Sequence, residues 1–287
     1  MNKKPLENFI AVVAGASRGA GKGTALALGE LGATIYVTAR SSGSNYTFSD
    51  LPYSIEETAK QINQLGGVGI PIQCDYTDDA QVQQLFRKIN KESDKIDLLV
   101  NAAWGGEEIK ISNEPFWKYP PKKWNTPFWN RYNSYWEYMF NRGVRNYLAA
   151  SCYAAEIMVK QKNGLIINIS YWDDGKFMGE LFYDLAKTTM NRLAFGVAHE
   201  LKKDNIAVIS LAPGFMKTEV VMAALNLNLE ATKEAFGLPG QTTTYVGRAV
   251  AALACDSKVI DKSGKTFHVS DLAKEYGFTD TDGSQPL

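Results

Sequence analysis

Short apolar runs rich in Val, Ile and Leu alternate along the chain with longer stretches whose apolar positions recur every three or four residues. The short runs predict strands over 9–13, 34–38, 68–73, 96–101, 165–169, 206–211 and 265–269, and the longer stretches predict helices over 19–31, 54–65, 78–90, 135–159, 183–202 and 243–255. Strands separated by helices predict an α/β fold with a parallel sheet covered on both sides. Nearly every strand run is apolar throughout and not alternating, so both faces of the sheet are expected to be buried. The seven runs fit one doubly wound parallel sheet in a single domain over residues 1–287. Right-handed crossovers then gather the carboxyl ends of the strands on one edge, and a ligand is expected there, where the strand order reverses.

One stretch breaks the alternation. Residues 104–136 hold ten aromatic side chains in thirty-three, including five of the six tryptophans, and Pro115, Pro120, Pro121 and Pro127 interrupt any regular element. An irregular, aromatic-rich excursion over 105–135 is expected, leaving the end of the fourth strand and lying over the ligand edge. A second loop region, 215–242, follows the sixth strand and is expected to face substrate.

Composition narrows the function classes. Thirty-one Lys and Arg balance thirty-one Asp and Glu, so no global field draws in nucleic acid or anionic lipid, and no nucleic-acid partner is expected. Cys74, Cys152 and Cys255 are far apart and odd in number, with no CxxC and no cluster around the only histidines, His199 and His268. This argues against a disulfide framework and a metal site and fits a reducing, cytoplasmic setting. Cys152 and Cys255 lie in apolar helical stretches and are expected to be buried and inert. No signal peptide is visible and no apolar run is long enough to span a membrane.

The first candidate chemistry stands directly after the first strand, where residues 14–21 read A-G-A-S-R-G-A-G. Gly15, Gly19 and Gly21 allow a tight turn and close backbone approach, and the helix that opens here offers free N–H groups to a pyrophosphate alongside Ser17 and Arg18. At the end of the second strand an NAD site usually carries an acid for the ribose hydroxyls. Here the stretch is Tyr36-Val37-Thr38-Ala39-Arg40, without one. Arg40 and Arg18 can hold a 2′-phosphate by charge-assisted bonds, so NADP(H) is expected over NAD(H). Asp75, after the third strand, either meets the adenine ring or caps the turn ahead of Asp78.

The second candidate is Tyr183-Asp184-Leu185-Ala186-Lys187. Four residues apart on a helix, the phenol and the ammonium share a face, and the lysine charge is expected to favour the tyrosinate and lower the phenol's pKa. Tyr119 and Lys123 have the same spacing but bracket Pro120-Pro121, which cannot sit inside a helix.

The glycine turn, Asn101-Ala102-Ala103 after the fourth strand, the Y-x-x-x-K pair and Pro213-Gly214 after the sixth strand, in this order and spacing, resemble the short-chain dehydrogenases/reductases across essentially the whole chain. The resemblance implies a Rossmann-type sheet and hydride transfer to or from nicotinamide. It also implies Tyr183 as the acid/base, Lys187 bonding the nicotinamide ribose, Asn101 and Pro213 lining the cofactor, Thr218 near the carboxamide, and a homodimer or homotetramer. Two positions depart from the pattern. The family serine beyond the fifth strand is Ser170 when counted back from Tyr183 but Tyr171 when counted along the strand. Ser170 is preferred as the closer chemical equivalent, although Tyr171 can donate the same bond with longer reach. The family asparagine that organises a relay water falls at Gly143, with Asn141 and Asn146 two and three positions away.

The expected reaction joins a carbonyl or secondary alcohol to nicotinamide chemistry, with Tyr183 exchanging the proton. Trp104, Trp117, Trp124, Trp129 and Trp172, with Phe215 and Met216, are expected to wall an apolar pocket for a bulky or ring-bearing ketone. Lys118, Lys122, Lys123 and Arg131 suit either an anionic tail on the substrate or a solvated loop face. The rival classes are a non-catalytic NADP-binding sensor or scaffold, motivated by Gly143 and the ambiguous serine, and a Rossmann-fold methyltransferase, which needs no paired tyrosine and lysine.

Overall fold

The computed structural model describes the whole chain except residues 1–2, 44–52, 109, 112–113, 116–126, 131, 173, 226–239 and 287. Seven strands form one sheet in the order β3-β2-β1-β4-β5-β6-β7. They are β1 Ile10–Ala14, β2 Thr34–Ala39, β3 Val68–Gln73, β4 Leu98–Asn101, β5 Gly164–Ile169, β6 Ile206–Ala212 and β7 Thr266–His268. Every pairing in this sheet is parallel, with Ala11 beside both Ile35 and Leu98 at its centre. The order reverses between β1 and β4, so the crevice beyond their carboxyl ends opens at the expected place.

Helices cover both faces. α1 Gly19–Glu30, α2 Ile55–Gln64, α8 Thr243–Cys255 and α9 Val269–Tyr276 pack on one side through a core that includes Leu28, Ile62, Val100, Ile167 and Val250. On the other side α3 Asp79–Ser93, α5 Arg145–Gln161 and α6 Leu181–Leu201 bury Phe86, Leu99, Ala154, Ile166 and Val208. The caps follow residue chemistry. The Ser54 hydroxyl accepts from the Glu57 amide at α2, and the Asp78 carboxylate from the Ala80 and Gln81 amides at α3. β3 departs from the expectation of two buried faces. It is one of the two edge strands, and Val68 is half exposed.

The described parts of the excursion are a single 3₁₀ turn at Gly106–Glu108, a two-strand antiparallel pairing of Lys110–Ile111 with Glu114–Pro115, and a turn at Phe128–Asn130. The helix expected over 135–159 is three pieces: α4 Tyr132–Trp136, a π-helical segment Glu137–Val144, then α5. A π-helical stretch inserts residues into the helical register and changes which positions face inward, which regular 3.6-residue spacing does not anticipate. A short helix, α7 Glu219–Leu225, follows β6. The expectation that Cys152 and Cys255 are buried is reversed. Cys74 is buried, whereas Cys152 and Cys255 are exposed, Cys152 on the solvent side of α5 near the exposed Leu148 and Cys255 at the last residue of α8. No helix among the described residues is long and apolar enough to cross a membrane.

Candidate active site

A cavity of about 660 Å³ opens along the carboxyl ends of β1, β4, β5 and β6, within the range of ligand pockets. Gly15, Ser17, Arg18, Gly19, Arg40, Asp75, Ser170, Tyr183, Lys187, Pro213 and Thr218 all line it.

The glycine turn lies at one end. Gly15 has φ +81°, and a Cβ placed there would meet the Ala103 amide nitrogen at 2.7 Å. One at Gly21 would reach the Gly15 carbonyl oxygen at 2.3 Å. Only hydrogen at these two α-carbons lets β1, β4 and α1 converge. α1 begins at Arg18 with no side-chain cap and no acid in its first turn, which leaves its amino end suited to an anion. An acid from elsewhere takes part of that role: the Gly19 amide donates to the Glu219 carboxylate of α7 at 2.8 Å. Arg40, at the end of β2, pairs with Glu108 of the excursion, and Glu108 also accepts from Arg142 of the π-helical segment at 2.9 Å. A helix-start amide and an arginine, each already holding a carboxylate, are donors of the kind that bind phosphate groups.

Asp75 accepts from the Thr77 amide and hydroxyl at 2.9 and 2.7 Å, so it shapes its own turn as well as lining the cavity. Asn101 lies behind the lining. Fully buried, its amide donates to Asn168 of β5 at 2.9 Å and to Ser151 of α5 at 3.1 Å, tying three elements together beneath the cavity floor. The family resemblance implies a place along the cofactor; in the structure Asn101 is not among the lining residues.

At the other end stand Tyr183 and Lys187, one turn apart on α6. Glu180 caps this helix by accepting from the Tyr183 amide at 2.6 Å, so the phenol sits on the first, tightly fixed turn. The Lys187 ammonium lies 5.5 Å from the Tyr183 ring centroid and 3.9 Å from that of Trp104. Burial pushes the Tyr183 phenol well above its ordinary value, with Tyr171 adding to the rise. The lowering expected from Lys187 alone is therefore not what this state of the site displays, because desolvation of the phenolate outweighs an ammonium at this distance.

Ser170 is the first residue beyond β5. Its hydroxyl, 4% exposed, donates to the Lys187 carbonyl at 3.1 Å. Tyr171 follows, its ring 6.1 Å from that of Tyr183 and its carbonyl held by Asn191 of α6 at 3.0 Å. Trp104, Trp172, Phe215 and Met216 join the lining as expected. Trp129 does not: it is 68% exposed and packs edge-on against Phe128. Trp117, Lys118, Tyr119, Lys122, Lys123, Trp124 and Arg131 lie outside the described residues. Sequence reasoning missed Arg142 and His268, which also line the cavity, and Asn146, which it set off the face of Gly143, lines it too. Asn146 is reached because it lies one turn beyond Gly143, a three-residue step that does share a helix face.

A parallel doubly wound sheet with a glycine-rich turn and a Tyr–Lys pair in one crevice is a Rossmann-type arrangement. A family model described as short chain dehydrogenase matches residues 9–227, and the chain belongs to that family of oxidoreductases. It is 32% identical to the Homo sapiens protein named Dehydrogenase/reductase SDR family member 1, over 97% of this chain and 85% of that one. The 3-oxoacyl-[acyl-carrier-protein] reductase of Synechocystis sp. is 28% identical over 91% of this chain and 94% of the relative. Among solved structures, a metagenomic short-chain oxidoreductase in complex with NADP superposes with a TM-score of 0.68 at 21% identity, over 92% of this chain and 97% of that one.

Proposed function

We propose that the chain is an NADP(H)-dependent carbonyl reductase acting on a bulky apolar or ring-bearing ketone, and in reverse on the matching secondary alcohol. The observation that carries this reading is the placement of Tyr183 and Lys187 in the same crevice as the glycine turn and Arg40. Nicotinamide, when bound, supplies or accepts the hydride. Gly15, Gly19 and Gly21 bring backbone amides to the pyrophosphate, Arg40 with Arg18 takes the 2′-phosphate, and Pro213 and Thr218 border the nicotinamide end. Tyr183 protonates the substrate oxygen, and the Lys187 ammonium stabilises the tyrosinate left behind. Trp104, Trp172, Phe215 and Met216 exclude water and favour an apolar substrate body.

The hydroxyl that orients the carbonyl is Ser170 by residue chemistry. One observation favours Tyr171 instead: the Ser170 proton is donated to the Lys187 carbonyl. The protein is read as a cytoplasmic homodimer or homotetramer. The test of function is a panel of aryl and alicyclic ketones with NADPH, followed at 340 nm. Turnover that vanishes in Tyr183→Phe supports the reading; tight NADPH binding with no turnover on any ketone overturns it.

A further inference from the structure

Gly143 is buried in the π-helical segment, and it has no room for a side chain. A Cβ built there would stand 2.7 and 2.9 Å from ring carbons Cζ3 and Cε3 of Trp104. The opposite end of the same indole is confined in the same way. A Cβ at Gly106 would lie 2.5 Å from Cε2 and from Nε1. Trp104 is thus clamped between two residues reduced to hydrogen at the α-carbon, in the volume where the family's asparagine side chain would begin.

What the clamped ring faces gives it chemistry. The Lys187 ammonium sits 3.9 Å from the indole centroid, and the Tyr183 ring meets the indole edge-on at 6.0 Å and 86°. Lys187 is only 6% exposed. Burial alone drives a lysine toward its neutral form, whereas an ammonium over an indole face gains about 2 kcal/mol when desolvated. Ionisable groups on the elements that meet here include Tyr171 beyond β5, Tyr147 of α5 and Arg142 of the π-helical segment, with Glu180 at the N-cap of α6 and Asp184 in its first turn. Arg142 is already paired with Glu108 and Glu137.

We infer that Trp104 is a positioning residue of this centre: its indole face, fixed by Gly106 and Gly143, holds the Lys187 ammonium charged and beside Tyr183, in the space that a relay asparagine would otherwise fill. This rests on the carbonyl-reductase reading. Trp104 touches the lysine and the tyrosine and acts on the reaction through them. Gly143 is then the complement of Trp104, since a side chain there requires the indole to leave.

The test begins with cofactor-free protein labelled with ¹³Cε-lysine, in which the Lys187 signal is identified by its loss in Lys187→Met. The indole face should shift that signal upfield. In Trp104→Leu it should move to the ordinary lysine position and its titration midpoint should fall by about one unit, while Trp104→Phe should keep most of both effects. Gly143→Ala, which displaces the ring without removing it, should mimic Trp104→Leu and serves where that variant folds poorly. In turnover with NADPH and a ketone, Trp104→Leu should lose about thirtyfold in kcat, the equivalent of about 2 kcal/mol, with KM little changed. A Lys187 signal at the ordinary position in the unsubstituted protein, or one unmoved in Trp104→Leu, overturns the inference. So does a loss confined to KM, which would make Trp104 a pocket wall only. Full turnover in Tyr183→Phe would instead strike the reductase reading, and the cofactor-free lysine signal judges Trp104 independently of it.

Discussion

Glu108 places its carboxylate on the Arg40 guanidinium, the group at the end of β2 that a 2′-phosphate would seek. Arg142 holds the same carboxylate from the other side at 2.9 Å. A second carboxylate, Glu219, accepts from the Gly19 amide at the start of α1. Both anions come from segments that follow a strand's carboxyl end, and each occupies a donor that the dinucleotide reading assigns to phosphate. Binding of the cofactor then means exchange of one anion for another, and the two exchanges differ in what they discriminate.

Glu108→Gln removes the competitor for Arg40 alone. NADPH should bind about tenfold more tightly, since the pair is only partly exposed and about 1.4 kcal/mol is a reasonable worth for such a contact. NADH affinity should change little. Glu219→Ala frees an amide that serves the pyrophosphate of either nucleotide, so both affinities should rise together. Arg40→Ala should abolish the preference for the phosphorylated form. Calorimetric titration of each variant with both nucleotides decides this. Equal NADH and NADPH affinities in the unsubstituted protein would sink the assignment of Arg40.

The hydroxyl that orients the carbonyl is settled by a pair of substitutions. Ser170 has to release the Lys187 carbonyl before it can donate to a substrate, whereas Tyr171 reaches the crevice from the next position along the chain. If Tyr171 is the donor, Tyr171→Phe should lower kcat by about a hundredfold, in line with loss of one aligned donor to a developing oxyanion, and Ser170→Ala should retain most turnover. The opposite pattern, measured with one ketone at saturating NADPH, returns the role to Ser170.

Much of this fold is written in local pattern. Residues 68–73 and 243–255 read from the sequence coincide with β3 and α8, because short apolar runs and helical spacing are properties of a few neighbouring residues. The glycine turn and Arg40 at strand ends, and Tyr183 and Lys187 one helical turn apart on α6, are legible for the same reason: each is a short local motif. The π-helical segment was not, since it departs from the period on which helix reading depends. Neither was the partnership of Trp104 with Gly143 and Lys187, which joins three distant points of the chain. The hydrogen-bond network around Asn101 was not legible either. A buried asparagine between two strands and a helix looks, in sequence, the same as one facing a ligand. Cys152 and Cys255 show that an apolar helix still has an outward face.

Those three thiols should separate cleanly in native protein. Burial pushes the Cys74 thiol up to about 12, with Asp75 and Asp78 adding to the rise. Partial burial also raises Cys152, with Glu156 and Glu200 opposing its thiolate, and raises Cys255. The thiolate is the reactive form, so Cys152 and Cys255 should react slowly with a disulfide reagent at pH 8, and Cys74 only after unfolding. A colorimetric count of three reactive thiols in the folded protein would contradict the placement of Cys74 in the core.

Alkaline stability tests the buried phenols. Burial raises Tyr76, Tyr147 and Tyr183 well above the ordinary tyrosine value, and further increments come from Cys74, Tyr183 and Tyr171 respectively. The folded chain therefore keeps these protons at a pH where the unfolded chain, with phenols near 10, has begun to lose them. Stability from each group is full below about pH 10 and declines as pH rises through the folded values. For the fully enclosed Tyr76 and Tyr147 together the loss at pH 11 is about 3 kcal/mol, a sizeable part of a typical domain's 5–15 kcal/mol. The melting temperature should hold from pH 7 to 9.5 and drop steeply beyond, and tyrosinate absorbance at 295 nm from these residues should appear only with unfolding. In Tyr147→Phe the slope above pH 10 should ease by one proton's worth, at the cost of the bond that its hydroxyl donates to the Ile169 carbonyl at 2.9 Å. Smooth titration of every tyrosine near pH 10 without loss of melting temperature would show that these phenols, Tyr183 among them, are not enclosed as described.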